Sequence, residues 1–293
     1  MLLRDLAWLL AVADHGRVTE AAGAVQTSQP TLSRAVARVE TELGVRVFER
    51  LPSGLQLTPA GTLVVEAAQS LTARYEQLLA DVESLQNPET GLVRLAFLDS
   101  IATSLVPRVL RAFHEHAPAV RVQLSQEPAH AMVDDLAAGV ADLAITSPRP
   151  AGEFGWFPLQ QERLVLVVPP GHPLRHRSQV ALDELADEHL VTTPVGYGYR
   201  TLVDGLLRDA GVPMQVSFES QDLATIEGLV AAGLGVALVP EPFAGQSGTV
   251  GIPLTAEAAR RTIGLTWRTD RPLVPPAARF RDFVRNAQLQ TAS

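Results

Sequence analysis

The sequence predicts a multidomain chain with a small all-α head, one long helix and an α/β region. Three observations predict this division. Apolar residues recur at helical spacing up to Leu43, the run from Pro59 to Gln86 contains no breaker beyond Gly61, and strand and helix patterns alternate from Leu92 onward. Helical spacing gives an amphipathic helix, whereas alternating strands and helices build parallel sheets covered by helices.

Three helices are predicted in the head. Gly16 should end the first helix, Ser28 can cap the third, and Pro30 is tolerated in a first turn because no N–H bond is lost there. The predicted helices run from Leu2 or Leu3 to Ala13, from Val18 to Val25 and from Gln29 to Leu43. The inward face of the third helix should consist of Leu32, Val36, Val39 and Leu43.

A second stripe on the third helix is polar and suits base reading in a DNA major groove. Hydroxyl groups can contact base edges or phosphate, Gln29 suits adenine, and arginine reaches guanine or the backbone. The chain has no lysine, so its basic groups are guanidinium groups, which favour bidentate contacts. The candidate DNA-contacting residues are Thr27, Ser28, Gln29, Thr31, Ser33, Arg34 and Arg38, with Arg50 and Ser53 from the segment that follows.

A short hairpin follows the third helix, with strands at Val45 to Phe48 and Leu55 to Leu57 around a Pro52-Ser53-Gly54 turn. The pattern over the first 61 residues consists of Ala21-Ala22, the run from Gln26 to Arg34, Val36, Val39-Glu40, Leu43-Gly44, Phe48, Arg50 and the run from Leu57 to Gly61. With these residues, the helices and hairpin together resemble the N-terminal winged helix-turn-helix of the LysR-type transcriptional regulators. The wing tip lacks the basic residues that such wings often carry.

Bulk charge alone argues against a nucleic-acid partner, because 24 basic and 32 acidic residues give a net charge of −8. The first 61 residues, however, hold six arginines and six acids, so the whole excess lies beyond Gly61. Without cysteine there are no disulfides, thiolate metal sites or cysteine nucleophiles. Arg4 and Asp5 interrupt the apolar start, which does not read as a signal peptide, so a cytoplasmic protein without a membrane segment is expected.

The helix predicted from Pro59 to Gln86 would be some 40 Å long at ~1.5 Å per residue. Its apolar residues alternate at spacings of four and three, which predicts a coiled-coil seam that joins two chains. Packing of the helix on its own domain is the alternative. The seam residues are Val64, Ala68, Leu71, Tyr75, Leu78, Val82 and Leu85. Asn87 to Gly91 should end the helix and form a linker.

Two βα series are predicted beyond Gly91. The first has strands Leu92 to Phe97, Val120 to Ser125 and Asp142 to Ile145, with helices Ser104 to His116 and Ala129 to Gly139. The second has strands Arg163 to Val168, Gln215 to Glu219 and Val236 to Pro240, with helices near Leu182 to Ala186, Thr201 to Ala210 and Gln221 to Ala232. A strand from Thr262 to Trp267 and a helix from Pro276 to Gln290 complete the chain.

The family resemblance extends, more loosely, over this region and implies a two-lobed periplasmic-binding-protein-like (type 2) effector domain. Two crossovers would join the lobes near Pro158 to Arg163 and Val250 to Thr262. The implied domains are a DNA-binding head at 1–58, a dimerisation helix at 59–88 and an effector domain at 92–293. Lobe 1 would cover about 92–160 and 264–293, and lobe 2 about 163–262. The resemblance also implies a homotetramer of two coiled-coil dimers, and RNA polymerase as a partner.

Ligands of open α/β sheets bind outside the carboxyl ends of the strands, where helix N-termini offer N–H groups. This rule and the family cleft select Ser100, Thr103, Thr146, Thr193 and Arg200 as effector-binding candidates. Hydroxyl groups, helix N-termini and one cation predict a small carboxylate-bearing effector. Alternatively, each residue is an ordinary helix cap, and Arg200 pairs with a nearby acid.

Enzymatic readings find little support, because Gly196-Tyr197-Gly198 lacks the third glycine of a dinucleotide site and no phosphate loop or nucleophile elbow occurs. His114 with His116, and His172 with His176, lack a further metal ligand, so neither metal nor cofactor is predicted. A stand-alone solute-binding protein would match residues 92–293 but would not contain the helical head. A protein-interaction module that has lost DNA binding would not need the candidate DNA-contacting residues of the third helix. The sequence therefore predicts a bacterial transcription factor of LysR type that binds double-stranded operator DNA and a small-molecule effector.

Overall fold

The computed structural model describes residues 1–52, 54–86, 89–213 and 215–287. The described chain forms two compact units, Met1–Val82 and a second that begins at Glu83, and each is presented by itself. Ser53, Pro88 and the predicted helix end at Gln290 lie outside the described residues. None of the helices in these ranges is both long and apolar enough to cross a membrane.

Three helices and a hairpin form the head. The helices are α1 (Leu3–His15), α2 (Val18–Ala24) and α3 (Gln29–Leu43), and strand β1 (Phe48–Leu51) pairs antiparallel with β2 (Gly54–Leu57). Gly16 ends α1 with a φ of 66°, which a side chain would disfavour. The Thr31 N–H donates to the Ser28 hydroxyl at 3.4 Å, the predicted cap. The helices are confirmed, with ends that differ from the predicted ones by no more than two residues.

The Glu40 carboxylate fixes the connection between α3 and the wing. Its Oε1 accepts the Val47 N–H at 2.8 Å and the Phe48 N–H at 3.3 Å. The first wing strand, predicted from Val45, starts only at Phe48, since the Val47 N–H donates to this carboxylate and not to a strand. The inward placement of Leu43 is also wrong: the side chain is 44% exposed, in the last turn of α3 and outside the head core.

Helix α4 (Pro59–Gln86) has the predicted bounds. Its first turns pack on the head, where Ala68 is buried in the core and Val64 lies against it. The junction is tight, because a Cβ on Gly61 would lie 2.1 Å from the Val47 carbonyl oxygen. Val64 and Ala68 were predicted in the seam. The head of the same chain already covers Ala68, so this residue is not free for a seam, whereas Val64 is half-buried and its place in the seam stays a prediction.

The second unit holds nine strands and five α-helices within the described ranges. The strands are β3 (Leu92–Phe97), β4 (Arg121–Gln126), β5 (Leu143–Thr146), β6 (Phe154–Val168), β7 (His189–Thr192), β8 (Gln215–Glu219), β9 (Ala237–Pro240), β10 (Val250–Pro253) and β11 (Arg260–Arg268). The helices are α5 (Leu105–His116), α6 (Ala129–Ala138), α7 (Gly198–Asp209), α8 (Leu223–Ala231) and α9 (Pro275–Asn286). The helix predicted near Leu182 is a short 3₁₀ turn.

These elements build two lobes. In lobe 1, β4, β3 and β5 are parallel, and β11 continues the sheet antiparallel to β5 and to the first part of β6. In lobe 2, the last part of β6 pairs antiparallel with β9 and β10, and β7 pairs parallel with β8. Separate apolar cores fill the lobes, one around Phe113 and Phe280 and another around Leu166 and Leu207.

The connections between the lobes differ from the prediction. Pro158 to Arg163 is not a linking loop but part of β6, because these residues find β11 as a neighbour. Val250–Pro253 is a strand for the same reason, since it pairs with β6. The lobes are joined at Arg163-Leu164 and Ala259-Arg260. These two connections lie side by side, with the Leu164 N–H bonded to the Ala259 carbonyl at 2.8 Å.

Candidate functional site

Helix α3 presents the predicted polar surface on the head. Gln29 and Arg34 are exposed, and Thr31 and Ser33 are half-buried. The Arg34 guanidinium bonds to the Pro30 carbonyl at 3.3 Å and to the Thr31 hydroxyl at 3.4 Å, while Thr31 and Ser28 share a hydrogen bond of 2.8 Å. These weak bonds at the helix surface preorganise the side chains and leave the guanidinium open to a partner.

Arg38 is held differently. Its Nε donates to the Asp5 carboxylate of α1 at 3.2 Å, and a second bond runs from its Nη2. Asp5 is fully buried and also accepts the Leu2 N–H at 2.9 Å. The bond from Arg38 lowers the pKa of Asp5 below its ordinary value. Arg38 therefore ties α3 to α1, a role the sequence analysis missed although Asp5 interrupts the apolar face of the first helix.

Two other predicted contact groups lie nearby in the chain. Arg50 is exposed on strand β1, and Thr27 is half-buried in the turn before α3. Gln26, in the same turn, adopts a left-handed φ of 51°, and it shapes the tight connection between α2 and α3.

Helix α4 exposes the remaining seam residues. About half of each side chain is accessible in the single chain, which is unusual for residues of this size on one helix. Two further exposed leucines, Leu63 and Leu79, were not named by the heptad pattern. The exposed seam consists of Leu71, Tyr75, Leu78, Val82 and Leu85.

A cavity of about 820 Å³ lies between the two lobes. It opens at the carboxyl ends of the lobe 1 strands, where Asp99, Gln126 and Ser147 line it, as the sheet rule predicts. Lobe 2 contributes Thr193 and Tyr197 from the opposite side. The volume suits a small metabolite.

Two of the five predicted effector residues, Ser100 and Thr193, line this cavity, and three do not. Thr103 is exposed elsewhere, and Thr146 is buried within β5 because its side chain points into the sheet packing. Arg200 is buried on α7, where it bonds to the Thr193 carbonyl at 3.0 Å and pairs with Asp204 at 2.7 Å and Glu219 at 2.6 Å. Two acids thus neutralise the Arg200 guanidinium inside lobe 2, which agrees with the alternative prediction that Arg200 pairs with a nearby acid.

Another arginine occupies the cavity wall. Arg261 is only 5% exposed, with Nε 2.6 Å from the Glu162 carboxylate and its guanidinium carbon 5.6 Å from the Tyr199 ring centre. Its Nη2 has no hydrogen-bond partner, and neither has the buried hydroxyl of Thr193. The sequence signal was the Arg260-Arg261 pair at the start of the last strand. Two unused hydrogen-bonding groups thus belong to residues of one cavity.

Two carboxyl groups meet across the same cavity, one from each lobe. Asp222 caps α8 and accepts the N–H groups of Ala224 at 3.1 Å and Thr225 at 2.8 Å. Partial burial raises the pKa of Asp222, but its bonds from Thr225 and Ala224 outweigh this and lower it overall. Partial burial and the hydrogen bond with Asp222 raise the pKa of Asp99. The two carboxyl groups therefore lie within hydrogen-bonding reach of each other, one from each lobe.

A metal-binding arrangement is not found in the described ranges: no three histidine, cysteine, aspartate or glutamate side chains come together there. The cavity chemistry consists of guanidinium, hydroxyl, amide and carboxyl groups around apolar side chains. Such a set can bind a charged organic molecule.

Comparison with known proteins identifies relatives of the whole chain. Residues 3–62 match the family described as bacterial regulatory helix-turn-helix protein, lysR family, and residues 86–288 match the LysR substrate binding domain. The chain is 32% identical to the uncharacterized HTH-type transcriptional regulator YybE of Bacillus subtilis (strain 168), over 96% of this chain and 97% of the relative. It is 31% identical to the DNA-binding transcriptional dual regulator OxyR of Escherichia coli (strain K12), over 93% and 91%.

Solved structures share the fold. The crystal structure of full-length CbnR complexed with its target DNA superimposes with a TM-score of 0.79 at 24% identity, covering 97% of this chain and 99% of that one. HinK, a LysR family transcriptional regulator from Pseudomonas aeruginosa, gives a TM-score of 0.60 at 24% identity, with coverage of 98% of both chains. The head and the two-lobed region therefore occur together in known regulators.

Proposed function

The chain is a DNA-binding transcriptional regulator of the LysR family, and from this membership we propose which surfaces bind DNA, a second protomer and an effector. The proposed division is a DNA-binding head at 1–58, a dimerisation helix at 59–88 and an effector domain at 92–293. The observation that carries the effector function is the cavity between the lobes, where Arg261 and Thr193 keep unused hydrogen-bonding groups.

The proposed DNA-reading surface is α3 with its N-terminal turn. Arg34 and Gln29 are exposed and long enough to reach base edges, whereas the hydroxyl groups of Thr27, Ser28, Thr31 and Ser33 suit phosphates or bases. Arg38 positions α3 through Asp5, and its exposed half, 48% of the side chain, is available to a phosphate. Arg50, which is exposed on the wing strand β1, would contact the phosphate backbone of DNA. The related CbnR has been crystallised with its target DNA, which supports this assignment.

The DNA assignment is tested with Arg34→Ala, and with Arg111→Ala as a matched control. Arg111 is an exposed arginine on α5, outside the head. We expect Arg34→Ala to weaken operator binding by roughly 1–3 kcal/mol if a base contact is lost, and the control to change nothing. A lost phosphate contact would instead reduce the salt dependence. Unchanged operator affinity of a folded Arg34→Ala variant would contradict the assignment.

The proposed effector is a small molecule with an anionic group. Arg261 is already paired with Glu162, so its unused Nη2 supplies a directed hydrogen bond more than net charge. The Thr193 hydroxyl and the exposed Arg260 complete an acceptor-binding wall. Ser100 lies on the lobe 1 side. An anion held by both lobes would favour one arrangement of the lobes, and the proposed effector would act on DNA binding through this shift.

Thr193→Val tests the effector site, because it removes the unused hydroxyl at nearly constant shape. Thr192→Val is the matched control: its hydroxyl is equally buried and unpartnered but does not line the cavity. Both variants should keep the fold or gain slightly in melting temperature, since an unsatisfied buried hydroxyl is lost. Binding of small carboxylates with and without amino groups should weaken in Thr193→Val only. Equal binding by both variants would refute the site.

The assembly proposed from the exposed seam is a dimer through α4, and two such dimers make a homotetramer. Two heads at fixed spacing match two half-sites of an operator. We further propose a cytoplasmic location and contact with RNA polymerase, as transcriptional regulation requires. Sedimentation of the full-length chain with operator DNA tests the stoichiometry, and a single protomer per operator would contradict it.

A further inference from the structure

Two acidic residues, one from each lobe, are in contact at the cavity wall, although contacts between like charges are unfavourable. Asp99 belongs to the 3₁₀ turn after β3, and Asp222 is the N-cap residue of α8. Each lobe thus contributes one carboxyl group to the wall of the same cavity. The Gln126 side-chain amide also donates to Asp99, which fixes the orientation of that carboxyl group.

A contact between two carboxyl groups is unfavourable once both are ionised, because like charges at hydrogen-bonding distance repel each other. In the part of the chain that the structure describes, no arginine forms an ion pair with either acid. The cavity lining also contains three arginines, Arg149 from the loop after β5 and the pair Arg260 and Arg261 on β11. The two acids therefore form a candidate cation-binding element, because within the described residues only the N–H and hydroxyl donors at the start of α8 compensate Asp222 and no cation pairs with either acid.

A metal ion is a poor occupant of this element. Calcium requires six to eight oxygen ligands, and the described residues bring only two carboxyl groups and one amide together here. A primary ammonium group needs fewer partners, since its three N–H donors match two carboxylates and one further acceptor. Charge-assisted bonds of this kind are among the stronger hydrogen bonds in proteins.

We propose that the effector carries a primary ammonium group together with its anionic group, and that the ammonium binds between Asp99 and Asp222. This inference rests on the proposed effector function of the cavity. The anionic group faces Arg261 and Thr193, whose unused hydrogen-bonding groups are the independent sign of a ligand. Leu98, Leu202 and Leu223 line the cavity around the carbon skeleton. The ligand class is an amino acid or a similar amino carboxylate.

The ammonium would bond to both lobes at once. In the free protein the two acids hold the lobes only weakly, because two carboxyl groups in contact repel each other once both are ionised. With the ligand bound, each lobe gains a charge-assisted bond to the same group. A carboxylate that lacks the amino group leaves the acids unpaired and gains less from lobe closure, which explains how a regulator would distinguish an amino acid from its deaminated counterpart.

The experiment uses the full-length protein and the twenty common L-amino acids as probes, each compared with its deaminated carboxylic acid and its decarboxylated amine. Thermal shift identifies binders and calorimetry measures their dissociation constants. Asp99→Asn and Asp222→Asn keep shape and helix capping while removing one charge. Asp134→Asn and Asp209→Asn are matched controls, exposed on α6 and α7 and absent from the cavity wall.

We expect at least one amino acid to bind, and its dissociation constant to rise roughly tenfold or more in both cavity variants but not in the controls. The deaminated acid should bind wild type roughly tenfold more weakly than the amino acid. Binding by deaminated carboxylates alone would overturn the ammonium site and leave the proposed effector cavity intact. Binding of amino acids at wild-type strength by both cavity variants would overturn it as well, as would stabilisation by divalent metal ions alone. No binding by either class would remove the effector proposal itself.

Discussion

Replacing Leu71 and Leu78 with aspartate should separate the proposed dimer. Both leucines are more than half exposed in the single chain, at 52% and 55%. Burying a whole leucine side chain contributes ~1.5–3 kcal/mol, so covering the exposed half contributes about 1 kcal/mol. Each dimer carries four such side chains, so their loss weakens association by roughly 4 kcal/mol, or about a thousandfold in the dissociation constant.

Aspartate adds a further cost, because an unpaired charge in a packed interface is destabilising by several kcal/mol. Sedimentation equilibrium of the full-length protein over a concentration series measures the effect. Ala73→Asp with Ala80→Asp is the matched control, since it places the same two charges seven residues apart on the opposite face of α4. We expect the control to keep the wild-type dissociation constant.

An unchanged dissociation constant in the leucine variant would refute the heptad reasoning, because the seam would then bury none of the exposed area. Equal weakening in the control would refute it too, since the effect would then come from helix charge. Operator binding should fall in parallel with dissociation, as a lone head contacts only one half-site.

Three further predictions concern stability. Gly61→Ala should unfold the head or detach α4, because the new Cβ would lie 2.1 Å from a backbone oxygen, and circular dichroism with limited proteolysis measures this; a wild-type melting curve would contradict it. Asp5→Asn should lower the melting temperature at pH 7, and the difference should shrink as pH falls below 3.8, because the lowered pKa of Asp5 gives stability that acid removes. Asp99→Asn should raise the melting temperature at pH 7 but not near pH 3, since the stability linked to a raised carboxyl pKa is present in acid and lost as pH rises. Opposite pH trends would refute either assignment.

The head was predictable because its signals are local. Gly16 ends α1 and Ser28 caps α3, so each acts within one turn of its helix. The heptad spacing of α4 is recognisable from the sequence of a single chain. Glu40 was not assigned a role, because its bonds to Val47 and Phe48 depend on where the chain returns after α3. The same applies to Asp5, whose partner lies 33 residues away.

The cavity was predictable in place but not in all of its residues. The sheet rule located Ser100 and Thr193, because loops after strands are recognisable from the strand pattern. The rule selected Arg200, because the sequence does not reveal that Asp204 and Glu219 neutralise this arginine. It missed Arg261, because that residue reaches the cavity from the antiparallel strand β11. Pairing across lobes, as between Asp99 and Asp222, carries no local signature at all.

The paired connections between the lobes restrict how an effector can act. β6 runs for 15 residues through both lobes without interruption, and the return connection at Ala259 is hydrogen-bonded to it. Two adjacent extended strands resist stretching and sliding, but they twist readily about their own axes. We therefore expect the lobes to move relative to each other by rotation about these two strands. An effector would change the relative rotation of the lobes by twisting these two strands. The sheet hydrogen bonds would be kept, and no element of the fold would need to unfold or form anew.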